Sequence, residues 1–365
     1  MTINHRTIHL APGTYSASAN GEEFPLYGRS YLSLRGEKAD TTILDGESEK
    51  NIIEWNNCNS VTLENFTVQN GFNEHKSGVS MSGIDILLKN MIIKDNISEL
   101  GVGGLSLYNS DYVNLENLTI ANNISNRYDS SSSGGLYAYR VNNLSILNSI
   151  IVSNSPFNLE FNSFPLFSGG TSRVLIGYSN IECGESEIIK DDSVFVHWLD
   201  GNIDAEPLFV GGNPFDYNLT DSSPCINAGT PFLVWEGDTL INLSPSEYVG
   251  TAPDMGALES DVLISVEGED ILPTQFMLEQ NYPNPFNPST TIRYSIPVVE
   301  PTRRVGCTLK IYDILGREVT TLVNKEHKPG NYAVTFNAKN LSSGIYYYRI
   351  STENYIKTMK MILIK

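Results

Sequence analysis

One short phrase recurs along the first half of the chain and limits what it can fold into. It reads VTLENFTVQN from Val61, ILLKNMIIKDN from Ile86, VNLENLTIANN from Val113 and LSILNSIIVSN from Leu144, with a weaker fifth copy, VLIGYSNIEC, from Val174. Aligned on the central residue, Asn65, Asn90, Asn117, Asn148 and Tyr178 lie 25, 27, 31 and 30 residues apart. A period in that range marks a unit that cannot bury its apolar face alone and stacks on its neighbours.

Within each copy, apolar and polar residues alternate and then change phase at the Asn, as expected of two short strands meeting at a corner. A further strand precedes each copy, opened by Ser77-Gly78, Gly103-Gly104 or Gly134-Gly135. Two or three strands per repeat and no helical periodicity predict one coil of a parallel β-helix per repeat. Asn65, Asn90, Asn117 and Asn148 are expected to stack as a structural ladder at a coil corner, where side-chain amides bond backbone that turns sharply. The glycine pairs are expected to supply backbone conformations barred to other residues.

Charge divides the chain. Residues 1–271 hold 12 Lys/Arg against 36 Asp/Glu, a net of −24, whereas residues 272–365 hold 12 against 6, a net of +6. With 365 residues, two units are the default. The acidic body argues against nucleic acid and anionic surfaces as partners. No apolar run is long enough to span a bilayer as a helix, so an integral membrane protein is not expected. Cys58, Cys183, Cys225 and Cys307 include no C-x-x-C pair, so no zinc site is expected. A Cys183–Cys225 disulfide and four buried free thiols both fit. The start of the chain lacks the apolar core of a signal peptide, and the strand pattern is already under way at Ile8, so the natural chain is expected to begin earlier.

From Leu272 the pattern changes to strands separated by Leu-Gly-Arg, Pro-Gly and Ser-Gly turns, which describes a small antiparallel sandwich. Two resemblances can then be named. Residues 8 to about 259 resemble the pectin-lyase-like superfamily of right-handed parallel β-helices, with NIDAEPLFVGGNPFDYNLTDSSPCINAGTP from Asn202 and APDMGALE from Ala252 resembling the closing region of bacterial surface β-helix proteins. The segment from about 272 to 365 is similar to the type A C-terminal sorting domain of the bacterial type IX secretion system. Pro283, Asn284, Pro285, Phe286 and Asn287 match its opening motif, Gly316 and Arg317 its central turn, Gly330 and Gly344 later turns, and Lys360 to Lys365 its basic-apolar end.

The expected architecture is all-β: a right-handed parallel β-helix with its closing region over 1–261, a linker over 262–271 and an immunoglobulin-like sorting domain over 272–365. The second resemblance implies export, an extracellular or outer-surface location, the type IX machinery as partner, and release of the body or attachment to surface lipopolysaccharide.

Residues that could carry chemistry are sparse. Glu64, Lys89, Glu116 and Leu147 precede the ladder positions, change sign from coil to coil, and read as a solvated face. Asp191 and Asp192 are the candidate catalytic pair, since paired acids serve glycoside hydrolysis. Asp254 and Glu259 are expected to satisfy backbone amides in the closing motif rather than bind a cation. The five histidines suggest no nucleophile with its base, and no cofactor or metal motif is present. Counting three residues on from Ile52, Leu105 and Leu136 reaches Trp55, Tyr108 and Tyr139, with Tyr137 adjacent, which predicts an outward aromatic row suited to neutral sugar rings. Two function classes fit: a surface protein without chemistry, acting as adhesin, glycan binder or envelope component, and a polysaccharide lyase or glycoside hydrolase. The lack of a recognisable site favours the former.

Overall fold

The computed structural model describes residues 5–127, 132–163, 172–212, 216–260, 276–278, 280–281, 284–297, 305–328, 330–339, 341–352 and 355–364. The chain divides into two compact units, Met1–Ile264 and Ser265–Lys365. The expected linker at 262–271 lies outside the described residues.

Residues 6–190 wind into a β-solenoid of about six turns. The repeat explains why. Each coil offers three short strands whose alternate residues are apolar, and parallel pairing in register places those residues in columns inside the coil. Ile53, Val79, Leu105, Leu136 and Leu159 form a column on the first face. Leu34, Leu63, Leu88, Leu115, Ile146 and Ile176 line the second. Leu44, Val68, Ile93, Ile120, Ile151 and Ile181 line the third. All are buried in one continuous core. Each such side chain contributes roughly 1.5–3 kcal/mol over its exposed state, which is what holds one coil on the next.

The corners are rows of left-handed residues. Asn65, Asn90, Asn117, Asn148 and Tyr178 separate the second and third faces with φ between 50° and 64°. Asn90 Nδ2 donates to Asn65 Oδ1 at 3.0 Å. The row does not continue as one ladder, because Asn117 Oδ1 is buried without a partner among the described residues and Asn148 bonds both backbone groups of Thr230. A longer ladder lies after the third face. Asn96 Nδ2 donates to Asn123 Oδ1 at 2.8 Å, Asn123 Nδ2 to Asn154 Oδ1 at 2.9 Å, and Asn154 Nδ2 to Asn158 Oδ1 at 2.9 Å. Asn96 and Asn123 are fully buried.

The glycines opening the first-face strands serve close approach, correcting the expectation of special backbone angles. A Cβ on Gly104 would sit 2.6 Å from the Gly135 carbonyl and 3.0 Å from Asn123 Nδ2, and Gly78 meets Gly104 and Asn96 in the same way.

Residues 203–260 close the body over the outside of the coil. Tyr217, Leu219, Cys225, Ile226 and Met255 pack on the outward side of the third face at Ile92, Ala121, Ile150 and Val152. This covering overturns the expected solvated face. Glu116 is buried, Lys89 Nζ pairs with Glu247 at 3.2 Å, and Glu64 pairs with Arg35 at 2.5 Å. The cysteines are all free: Cys58, Cys225 and Cys307 are buried and Cys183 is exposed. The Cys183–Cys225 pairing therefore does not occur, since Cys183 turns outward at a left-handed corner while Cys225 faces Asn180 in the closing core.

The second unit holds a three-stranded and a four-stranded antiparallel sheet around their own core, centred on Phe286, Ile292, Leu309, Ile311, Tyr348 and Ile350. No helix among the described residues is long and apolar enough to cross a membrane.

Candidate functional site

A recess of the body lies on its second face. Strands Phe232–Trp235 and Asp238–Asn242 form a hairpin whose two-residue turn, Glu236-Gly237, has φ of 51° and 99°. Positive φ at both turn positions matches the twist of the strands, and Gly237 supplies one of them without strain. The turn sets Trp235 opposite Asp238, and the hairpin roofs strands 113–116, 144–147, Ser172–Gly177 and Val194–Trp198. The cleft beneath has a volume of about 410 Å³.

Two contacts fix the roof. Arg173 Nη1 pairs with Glu236 Oε2 at 2.8 Å, and the His197 and Trp235 rings lie 5.3 Å apart, tilted by 57°. Leu175 supplies the apolar part of the floor, between Ser145 and His197 in the outward column of the second face. Asp85, Tyr112 and Asn143 stand along one wall as a second row of left-handed corner residues, at φ of 63°, 54° and 50°. Tyr112 is 55% exposed. Ser145 donates to Asn114 Oδ1 at 2.7 Å, which leaves the Asn114 amide NH2 without a partner among the described residues. The cleft thus combines flat aromatic faces, a partly apolar floor and fixed amide and carboxylate groups.

The predicted aromatic row is not this site. Trp55 is only 2% exposed and belongs to the core, because Ile53, not Ile52, is the register partner of Val79 and so stands in the column of Leu105. An offset of one residue reverses the face. Tyr108 and Tyr139 do pair in register on the outward side, but Lys76 Nζ lies 4.8 Å over the Tyr108 ring and Arg140 5.0 Å over that of Tyr139. Tyr137 is buried. Burial and neighbouring Tyr137 push the Tyr108 phenol up to about 12, so this cluster is a covered one.

The acidic candidates hold turns. Asp191 accepts from the backbone N–H of Ser163 at 2.5 Å and from the backbone N–H and hydroxyl of Ser193 at 3.0 and 2.5 Å. Asp192 is exposed beside it. Asp254 accepts from the N–H groups of Asn227 and Ser260, and Glu259 from those of Asp254 and Val249. Burial, then the charge of Asp254, lifts Glu259 to about 7. Among the described residues no group of three or more His, Cys, Asp or Glu could hold a metal ion.

The signal for the cleft was in the sequence. FLVWEGDTLIN from Phe232 is an alternating run broken by a Glu-Gly turn, and it places a tryptophan at the tip of a hairpin. What could not be seen was which face it would cover.

In the second unit, the expected motif residues meet in space. Phe286 is buried against Phe336 and bridges the last strand, donating from its N–H to the Ile362 carbonyl at 2.9 Å and accepting from the Ile364 N–H at 3.0 Å. Asn284 Oδ1 accepts from the Ile362 N–H at 2.8 Å, and Gln280 Nε2 donates to the Lys360 carbonyl. The opening motif therefore clamps the basic-apolar end. Asn287 follows Phe286, Gly316 and Arg317 form a hairpin turn, and Gly330 and Gly344 open strands. Pro283 and Lys365 lie outside the described residues.

Comparison with known families decides what this unit is: residues 280–365 match the family described as the secretion system C-terminal sorting domain. The tail is a sorting domain. Its presence means export by type IX secretion, recognition by that machinery, and a surface or extracellular location. No curated protein and no solved structure matches the chain, so for the body the likeness to the pectin-lyase-like superfamily remains one of repeat pattern.

Proposed function

We propose that the exported body is a non-catalytic glycan-binding protein that seats a short neutral saccharide in the cleft beneath the 232–242 hairpin. The observation that carries this reading is that Trp235 and Tyr112, two flat ring systems, both line the cleft together with Leu175 and with amide and carboxylate groups. Sugar rings present one apolar face and a rim of hydroxyls, which need this combination. Neutral sugars are favoured because Asp85, Glu236 and Asp238 outnumber Arg173, which is already paired, and because the body carries a net of −24. Glu116 and Glu259, the two acids that burial lifts to about 7, do not line the cleft.

A glycan array probed with the purified protein tests the reading. Binding to neutral oligosaccharides and not to uronates is expected, weakened roughly 2- to 10-fold by Trp235→Ala on the scale of a lost stacking contact. Cleavage of the bound chain, or binding indifferent to Trp235, would refute it.

A further inference from the structure

The sorting domain carries an apolar projection that its own fold does not use. Strands Val305–Tyr312 and Glu318–His327 are joined by a turn through Asp313, Ile314, Leu315, Gly316 and Arg317. A single carboxylate organises it. Asp313 accepts from the N–H groups of Leu315 and Arg317, each at 2.9 Å, and from Arg317 Nε at 2.6 Å. Its own N–H donates to the Arg317 carbonyl at 3.0 Å, and Gly316, at φ 77°, donates to the Asp313 carbonyl at 3.0 Å.

None of these bonds uses the side chains at 314 and 315. Turn positions of this kind ordinarily carry polar residues. Here they are Ile314 and Leu315, 68% and 72% exposed, and neither belongs to the core of the domain or packs at its edge.

We propose that Ile314 and Leu315 form a knob by which the export machinery grips the sorting domain, seated in an aliphatic socket of that machinery. This rests on the reading of the tail as a sorting domain. The two side chains are adjacent, so they present one patch. The turn beneath them is fixed before any encounter, so little ordering cost is left for docking. Residues 272–365 carry a net of +6, which suits a socket with an acidic rim. Burying each side chain strengthens the encounter by about 10- to 100-fold.

The test uses the full chain behind an export signal peptide, produced in a host with type IX secretion, with cell fractions compared by immunoblot. The variant I314S/L315S is expected to reach the cell surface or medium at least about tenfold less than the wild type, on the affinity scale above, and to accumulate in the periplasm. Its thermal unfolding is expected to match the wild type, because the replaced side chains make no core contact. The conservative variant I314V/L315M is expected to retain export. Undiminished export of I314S/L315S would overturn the proposal. So would a lowered unfolding midpoint, which would assign the pair to folding, or a wild-type dimer dissociated by the substitutions, which would assign it to self-association. A wild-type chain that stays in the periplasm would fail the sorting reading itself, and the knob with it.

Discussion

The buried asparagine ladder makes the sharpest quantitative claim about the body. Asn123 is fully buried and its side chain engages five groups, with two of the three acceptors around Nδ2 sharing one hydrogen. Nδ2 donates to the carbonyls of Ile93 and Ala121 and to Asn154 Oδ1, while Oδ1 accepts from the N–H and the Nδ2 of Asn96. Asn123→Ala removes the acceptor of the buried Asn96 N–H, and water has no access to replace it. Asn96 Nδ2 keeps the Val68 carbonyl, and Asn154 Oδ1 keeps the Asn123 N–H, so those groups lose less. One orphaned N–H at about 2 kcal/mol and two under-satisfied carbonyls at about 1 kcal/mol each give a destabilisation of about 4 kcal/mol. The control is Asn126→Ala, which loses one exposed bond to Glu99 and should cost less than about 1 kcal/mol. Urea unfolding followed by tryptophan fluorescence measures both, since Trp55, Trp198 and Trp235 all lie in the body. An Asn123→Ala protein within about 1 kcal/mol of the wild type, or no worse than Asn126→Ala, would refute the reasoning that this ladder ties the coils together.

Two further outcomes are expected. Burial, partly offset by Lys89, lifts the Glu116 carboxyl to about 7, above its ordinary 4.5. Between those values the folded chain holds a proton that the unfolded chain has lost, so this group lowers stability as pH rises from about 5 to about 7, by an upper limit of roughly 3 kcal/mol. Glu116→Gln should match the wild type near pH 5 and exceed it near pH 8, and parallel melting curves at both pH values would contradict this. Thiol titration of the native protein should label Cys183 alone, slowly because slight desolvation and the nearby Glu182 and Asp204 hold its thiol above its usual range, with the remaining three reacting only on unfolding. A native protein with two unreactive half-cystines would contradict it.

The solenoid was legible because its period, its alternation and its phase change all pointed to one architecture. The same pattern misled at Trp55, where aligning Ile52 rather than Ile53 with Leu105 turned a core residue outward. Repeat lengths that vary in the loops leave that single-residue offset open until the hydrogen-bonded register closes it. Asn65 and its counterparts stood out by recurring at the centre of the phrase, whereas Asn96, Asn123 and Asn154 close it and read from sequence as ordinary turn residues. Glu116 reads from sequence as a solvated charge because nothing in its coil reveals that residues 203–260 fold back over it. The cleft was hidden for the same reason, since Tyr112 and Trp235 are 123 residues apart and line one cleft only through that return. In the sorting domain the motif residues were visible, but the pairing of Phe286 with the final strand was not, because no local pattern encodes it.

The central claim, that the exported body binds a neutral saccharide under its hairpin, is tested most directly by a crystal structure of the protein soaked with the neutral oligosaccharide that binds best on the array. The account predicts a sugar ring stacked on Trp235 with its hydroxyls on Asn114 and Asp85, and an empty first face. A sugar bound instead at Tyr108 and Tyr139, or nowhere on the body, would contradict it.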